Sequence, residues 1–250
     1  MIKLCAPYYE KFSFIMDVLH RAISYIPYKD ICIYVTPIEM YEKIEDKNIN
    51  IWNFEPILPV THQKNVRRPE MMEKAIENKN VSNIFCFDLA QAKKYNIDKV
   101  KYLPLGYIEQ MVSENNNDKA GKMFLGKISE RRQRQFNNHK IDWFPRKSYT
   151  SLDDITKKIS AYKYGFDTWE NDDYVDLYVN CLRVSQYVMA RTVVVSDNKA
   201  IRDFGVKSYI YAKDISGIEV PEDTGDMAER ALRELKKNVN MRDIFIGYNI

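Results

Sequence analysis

Short, mostly apolar runs, many of their residues β-branched, recur along this chain at 2–6, 31–35, 49–54 and 83–87, and again at 123–126 and 192–196. A strand with one wet face alternates apolar and polar side chains, whereas a run apolar at nearly every position is buried on both faces. Between these runs lie stretches with helical spacing. Over 9–25 the residues Phe12, Ile15, Met16, Leu19, Ala22 and Ile23 recur at intervals of three and four, which is one apolar helical stripe. Segments 37–45 and 69–78 each open on a proline, a residue suited to the first turn of a helix. Buried strands alternating with helices predict parallel sheets covered by βαβ crossovers, hence an α/β fold.

The pattern breaks once and restarts. A last short strand over 99–103 is followed by Pro104-Leu105-Gly106, and residues 113–122 are polar and rich in Asn. At 250 residues the chain has the size at which one core commonly gives way to two. The expected division is an N-terminal domain, 1–110, and a C-terminal domain, 111–250, both Rossmann-like with parallel sheets. In the second the expected order is strand 123–126, basic helix 129–137, strand 140–144, helix 151–161 and a link at 162–166. One long helix over 173–190 comes next, then buried strand 192–196, a helical stretch over 199–204, strand 208–212 and an amphipathic helix over 226–237.

Composition excludes some functions. With 38 basic and 35 acidic residues the net charge is +3, far from the strongly basic footprint of a general nucleic-acid binder. Cysteines stand at 5, 32, 86 and 181 without any C-x-x-C spacing, and each lies among apolar neighbours. They are expected to be reduced and buried, neither metal ligands nor disulfides. No run of about 18 apolar residues and no secretory leader pattern occurs, so no membrane span and a cytoplasmic location are expected.

Two segments could carry chemistry. In Phe124-Leu125-Gly126-Lys127-Ile128-Ser129-Glu130-Arg131-Arg132 a strand ends in Gly and a helix opens at Ser129, an arrangement that suits a phosphate at the carboxyl edge of a sheet. Arg131 and Arg132 fall in the first helical turn, where the helix dipole disfavours cations unless an anion neutralises them. In the second, Arg183 and Gln186 stand one turn apart on a helix that runs into the strand 192–196, so that both face the same way. Either segment could also be an ordinary solvated or salt-bridged helix face. The acidic pairs Asp153-Asp154 and Asp172-Asp173 precede helices and read as caps.

Taken together and in order, these segments resemble those of GT-B nucleotide-sugar glycosyltransferases. The form F-x-G-x-x-x-x-R-R is matched by Phe124 to Arg132, and R-x-x-E followed by a buried V-V-S strand is matched by Arg183 to Ser196. Asn53-Phe54-Glu55-Pro56 is similar to the N-x-E-Q segment of a bacterial and viral subgroup, Asn83 to Asp88 to its strand end, and Lys101 to Tyr107 to its Y-L-P-L-G-Y stretch. The chain departs from the pattern at two places: Gln186 stands for the acidic residue, and Arg191 where a small residue is expected.

The resemblance implies a compact GT-B architecture and a hexosyl- or pentosyltransferase. Its donor, a UDP- or GDP-sugar, would be held by Gly126, Lys127, Ser129, Arg131, Arg132, Arg183 and Gln186, with no cofactor and no metal. Arginines would stabilise the departing diphosphate. Asp88, Glu55 and His62 are the candidates for a general base. The acceptor, whether a glycan, a protein or a modified DNA base, is left open, as is the oligomeric state; a viral chain would act in the host cytoplasm. Two other readings stand beside this one. One is a non-catalytic module of the same fold binding a nucleotide or nucleic-acid phosphate; the other is a DNA-modifying sugar transferase, with Lys64 to Arg68 and Lys127 to Arg134 on a duplex backbone.

Overall fold

The computed structural model describes residues 2–5, 20, 31–57, 67–114, 116, 118–145, 152–170 and 172–248. Apart from His20, the helix expected over 9–25 lies outside them, as does His62. The chain forms two compact units, one of Met1–Pro104 with Met241–Ile250 and one of Leu105–Asn240. The division thus falls at 104/105 and not at 110/111, and the last ten residues return to the N-terminal unit. Residues 105–108 belong with the second unit because it supplies their partners. Leu105 O accepts from Ser185 Oγ at 2.7 Å, Ile108 N–H approaches Met189 Sδ at 3.2 Å, and Tyr107 N–H donates to Val239 O at 2.7 Å. A Cβ on Gly106 would stand 2.0 Å from Val239 O, so this close approach of two backbones requires glycine.

The N-terminal sheet contains β1 (Ile2–Cys5), β2 (Ile31–Val35), β3 (Ile49–Asn53), β4 (Val81–Cys86) and β5 (Val100–Tyr102), parallel and in sequential order. One face packs Ile49, Ile51, Val81, Ile84 and Cys86 against Met71, Met72 and Ala75 of α1 (Arg67–Glu77), with Ala92 of α2 (Leu89–Tyr95) and Ile38 and Tyr41 of a 3₁₀ segment. Right-handed crossovers between strands in sequential order all fall on that same face. The opposite face therefore needs cover from elsewhere, and part of it comes from the end of the chain.

The C-terminal unit carries β6 (Lys122–Leu125), α3 (Glu130–Phe136), β7 (Asp142–Phe144), α4 (Leu152–Ser160), β8 (Tyr164–Asp167), α5 (Cys181–Met189), β9 (Val193–Ser196), β10 (Ile210–Tyr211) and α6 (Met227–Asn238). A final helix, α7 (Met241–Gly247), belongs to the first unit. Its Phe245 meets Trp52 edge to face at 5.9 Å, and Tyr248 packs on Phe85 at 6.2 Å. The second sheet has the order β10-β9-β8-β6-β7, again parallel. Its first strand, β6, has β7 on one side and β8 on the other, so the direction of winding reverses there. This is a doubly wound sheet, and the crevice at the carboxyl ends of β6 and β8 is its switch point.

Several expected elements change form. Residues 37–45 hold a 3₁₀ helix, Ile38–Lys43, and 199–204 another, Lys199–Ile201. The long helix over 173–190 is broken: a 3₁₀ turn at Asp172–Tyr174 is followed by α5 only from Cys181. Asp176 between them is left-handed, φ 63°, and Asn180 caps α5 by accepting from Arg183 N–H at 3.2 Å. Trp169, Tyr174 and Tyr178 cluster edge to face within 6.5 Å of one another. The four-residue interval between Tyr174 and Tyr178 mimics a helical stripe, although it serves a folded turn. Among the described residues no helix is long and apolar enough to cross a membrane.

The cysteines divide. Cys86 and Cys181 are buried, whereas Cys5 and Cys32 are only partly so, with their sulfurs 3.2 Å apart. All four are free thiols; burial lifts the Cys86 thiol to about 12.

Candidate functional site

The switch point of the second sheet gathers Arg131, Arg132 and Arg183, which are 7%, 5% and 7% exposed. The first two come from the opening turn of α3, capped by Ser129, whose Oγ accepts from Arg132 N–H at 3.3 Å. Arg183 comes from the first turn of α5. The guanidiniums of Arg132 and Arg183 both lie over the ring of Phe124, at 5.0 and 4.7 Å. All three donate to Thr168, just past the end of β8: Arg131 to its hydroxyl, Arg132 and Arg183 to its carbonyl.

Their remaining partners differ, and so does their chemistry. Arg131 is enclosed by acceptors: Asp172, Trp169 O at 3.0 Å and Asp197 Oδ2 at 2.6 Å. Burial opposes its charge, but the hydrogen bond to Asp172 and the field of Asp197 outweigh burial and hold its pKa above the ordinary arginine value. Arg183 pairs with Asp167 at 2.6 Å and donates from Nε to Leu125 O at 2.8 Å. Its Nη2 donates to no acceptor among the described residues, and a Cβ built on Gly126 would approach that nitrogen to 3.1 Å. Gly126, at φ 137°, therefore leaves the way to this nitrogen open.

Arg132 has no carboxylate partner among the described residues. It donates to Thr168 O at 3.1 and 3.0 Å and to Lys127 O at 2.6 Å. Burial, and then the neighbouring Arg183 charge, pull its pKa down to about 9. Three buried guanidiniums thus face two buried carboxylates, Asp167 and Asp197; the third carboxylate, Asp172, is 75% exposed. Among the described residues, Arg132 is the guanidinium of the three without a direct ion pair, although Glu170 and Asp167 act on its charge through space.

Two buried side chains here carry polar atoms without a partner. Gln186, 3% exposed and one turn after Arg183, makes no hydrogen bond with either amide atom, and Asp197 leaves Oδ1 without a donor. Burial, opposed by Arg131, raises the Asp197 pKa above the ordinary carboxylate value. An orphaned buried polar atom costs about 1–3 kcal/mol. A cavity of about 330 Å³ opens beside the cluster, lined by Ser129, Glu130, Arg131, Arg134, Glu170 and Asp172. A larger one of about 730 Å³ lies around Lys122, His139 and residues 216–222, at the amino end of β6 and away from the guanidiniums.

The expected site residues are thus distributed as follows. Ser129, Arg131, Arg132, Arg183, Gly126 and Lys127 meet at the switch point. The Gly126 N–H is not open to a ligand, because it donates to Phe144 O at 3.0 Å. Asp172 pairs with Arg131 through its side chain instead of serving as a simple cap. In the N-terminal unit, Glu55 follows β3 and stands 3.6 Å from Arg68, while Asp88 follows β4, buried, and caps α2 by accepting from Ala90 N–H at 2.8 Å. Sequence reasoning missed Asp167, Thr168 and Asp197. The signal for them was their position, directly at the carboxyl ends of buried parallel strands.

The fold is similar to that of a UDP-forming α,α-trehalose-phosphate synthase from Burkholderia vietnamiensis, with a TM-score of 0.53 and 10% identity over 93% of this chain and 74% of that one. Weaker likenesses are to S. aureus TarM, solved in complex with UDP (TM-score 0.48, 10% identity, 92% and 54% covered), and to an α1,3-fucosyltransferase with GDP-fucose (0.49, 10%, 99% and 88%). The chain spans about half the length of TarM. No family model and no curated protein matches the sequence. The likeness to the synthase is one of fold: α/β with two parallel, Rossmann-like sheets.

Proposed function

We propose that the protein is a nucleotide-sugar-dependent glycosyltransferase of the GT-B type, with the donor on the C-terminal unit. The observation that carries this reading is the convergence of three buried guanidiniums at the switch point, with Arg132 bonded only to carbonyls and Nη2 of Arg183 open. A buried cation without a direct ion pair is costly, and a diphosphate supplies one. When the bond from the anomeric carbon to the diphosphate breaks, charge grows on the leaving oxygen, and fixed guanidiniums stabilise that change without reorganising. The shared fold with a UDP-forming synthase supports the same reading. Gln186, with both amide atoms unpartnered, suits the ribose hydroxyls. In this reading Arg131 is a positioning residue, locked by Asp172 and Asp197. An inverting transfer would draw its base from Glu55 or Asp88.

The test is binding of UDP, GDP and their sugars by thermal shift, since a ligand of the folded state alone raises apparent stability. Wild type should be stabilised, and Arg183→Ala and Arg132→Met should lose that response. Stability in urea should separate the roles. Arg131→Ala, which strands the buried Asp197, should cost about 3–5 kcal/mol, and Arg132→Met, which removes an unpaired cation, clearly less. Equal losses in the two variants, or unchanged nucleotide binding in Arg132→Met and Arg183→Ala, would reject the assignment.

A further inference from the structure

We infer that the indole of Trp143 is the stacking platform for the nucleobase of the donor. This rests on the reading of the C-terminal unit as the nucleotide site and adds to it the part of the ligand farthest from the diphosphate. Trp143 lies on β7, the edge strand, in register with Phe124 of β6. Partners in a parallel ladder project from the same face of a sheet. The indole therefore stands beside the ring that carries Arg132 and Arg183.

Its exposure is unusual for so large a side chain. Trp143 is 47% exposed, whereas Trp52 is fully buried. The ring is nevertheless fixed, because its Nε1–H donates to Gly126 O, the carbonyl of the turn beside the open nitrogen of Arg183. Neighbouring contacts hold the strand as well: Phe144 packs edge to face on Tyr162 at 5.7 Å, and Tyr162 Oη donates to Asp142 at 2.7 Å. With its one donor already used, the indole offers a ligand only its π-face. That is the surface against which a base stacks, and every base has a complementary face. A nucleoside diphosphate whose phosphates sit at the Gly126 turn needs a surface for its base one ribose away from that turn, and the ring of Trp143, anchored on the turn by its Nε1–H, extends such a surface.

The experiment compares UDP, GDP and inorganic pyrophosphate on wild type, Trp143→Ala and Trp143→Phe by calorimetry, with UDP-sugars as a fourth ligand. Trp143→Ala should weaken UDP and GDP about 5- to 150-fold, the range of one stacked base, and leave pyrophosphate unchanged. Trp143→Phe should keep most of the affinity, and UDP should quench wild-type tryptophan emission but not that of Trp143→Ala. The inference is overturned if Trp143→Ala binds UDP like wild type. It is overturned too if pyrophosphate weakens in parallel, which makes the indole a brace for the Gly126 turn, or if only the UDP-sugar weakens, which assigns the ring to the sugar. Wild type binding none of these ligands would reject the donor-site reading itself.

Discussion

The backbone at Arg191 is left-handed, with φ 54°, a conformation that costs an ordinary residue about 1–2 kcal/mol and glycine almost nothing. The resemblance calls for a small residue here, and the dihedral supplies the physical reason. This chain offsets the strain with side-chain contacts: Arg191 Nε donates to Glu229 at 2.6 Å, and Nη1 donates to Ser113 O. Arg191→Ala and Arg191→Gly both lose those contacts, but only glycine relieves the backbone. Arg191→Gly should therefore be more stable than Arg191→Ala by about 1 kcal/mol in urea denaturation, and equal stabilities would show that the dihedral carries no strain. The arginines of the site could be named from the sequence because they cluster around a recognisable turn. Their acceptors could not, because Asp167, Thr168 and Asp197 come from the ends of other strands and meet Arg131 and Arg183 only through the sheet.

Strands were readable where apolar residues run together, as in β6 and β9, but β8, buried at all four positions, was expected only as a link because Gly165 and Asp167 interrupt its apolar run. Helices were less so, because two aromatic residues four apart read the same whether they line a helix or a turn, as Tyr174 and Tyr178 show. One contact between elements was invisible in the sequence. Tyr187 of α5 accepts from Leu125 N–H at 3.0 Å and donates to Phe166 O at 3.2 Å, so its hydroxyl sits between β6 and β8 where the crevice begins. Tyr187→Phe leaves a buried N–H and a buried C=O unpaired and should cost about 1–3 kcal/mol; faster amide exchange at Leu125 should report the site. The other end of α5 is capped by Lys119, whose Nζ donates to Arg191 O at 2.8 Å and also to Ala190 O. Burial, aided by the charge of Arg191, lowers its pKa from 10.5 to about 8. Between those values the unfolded chain holds the proton that the folded one has lost, so this lysine makes stability rise with pH across that window. Melting temperatures of wild type should gain on those of Lys119→Met from pH 8 to 10; parallel curves would contradict the shift.

At the level of the whole molecule, the two sheets could be anticipated, but the return of the chain end to the first of them could not. The seven residues of α7 are too few to show periodicity, and nothing in Met241–Gly247 announces which unit it joins. Phe245 is fully buried against Trp52, and truncating such a side chain to alanine costs about 3–5 kcal/mol. Phe245→Ala should destabilise the N-terminal unit by that amount and shift Trp52 emission to the red. An unchanged emission maximum would place the ring elsewhere.

That return has a consequence for biosynthesis. The first unit is encoded in two pieces, separated by all of residues 105–240. At about 5–20 residues per second, α7 leaves the ribosome roughly seven to thirty seconds after β5. Throughout that interval the surface later covered by Phe245 and Tyr248 is open to water or to a chaperone, so this unit is finished only after residues 105–240 have been made.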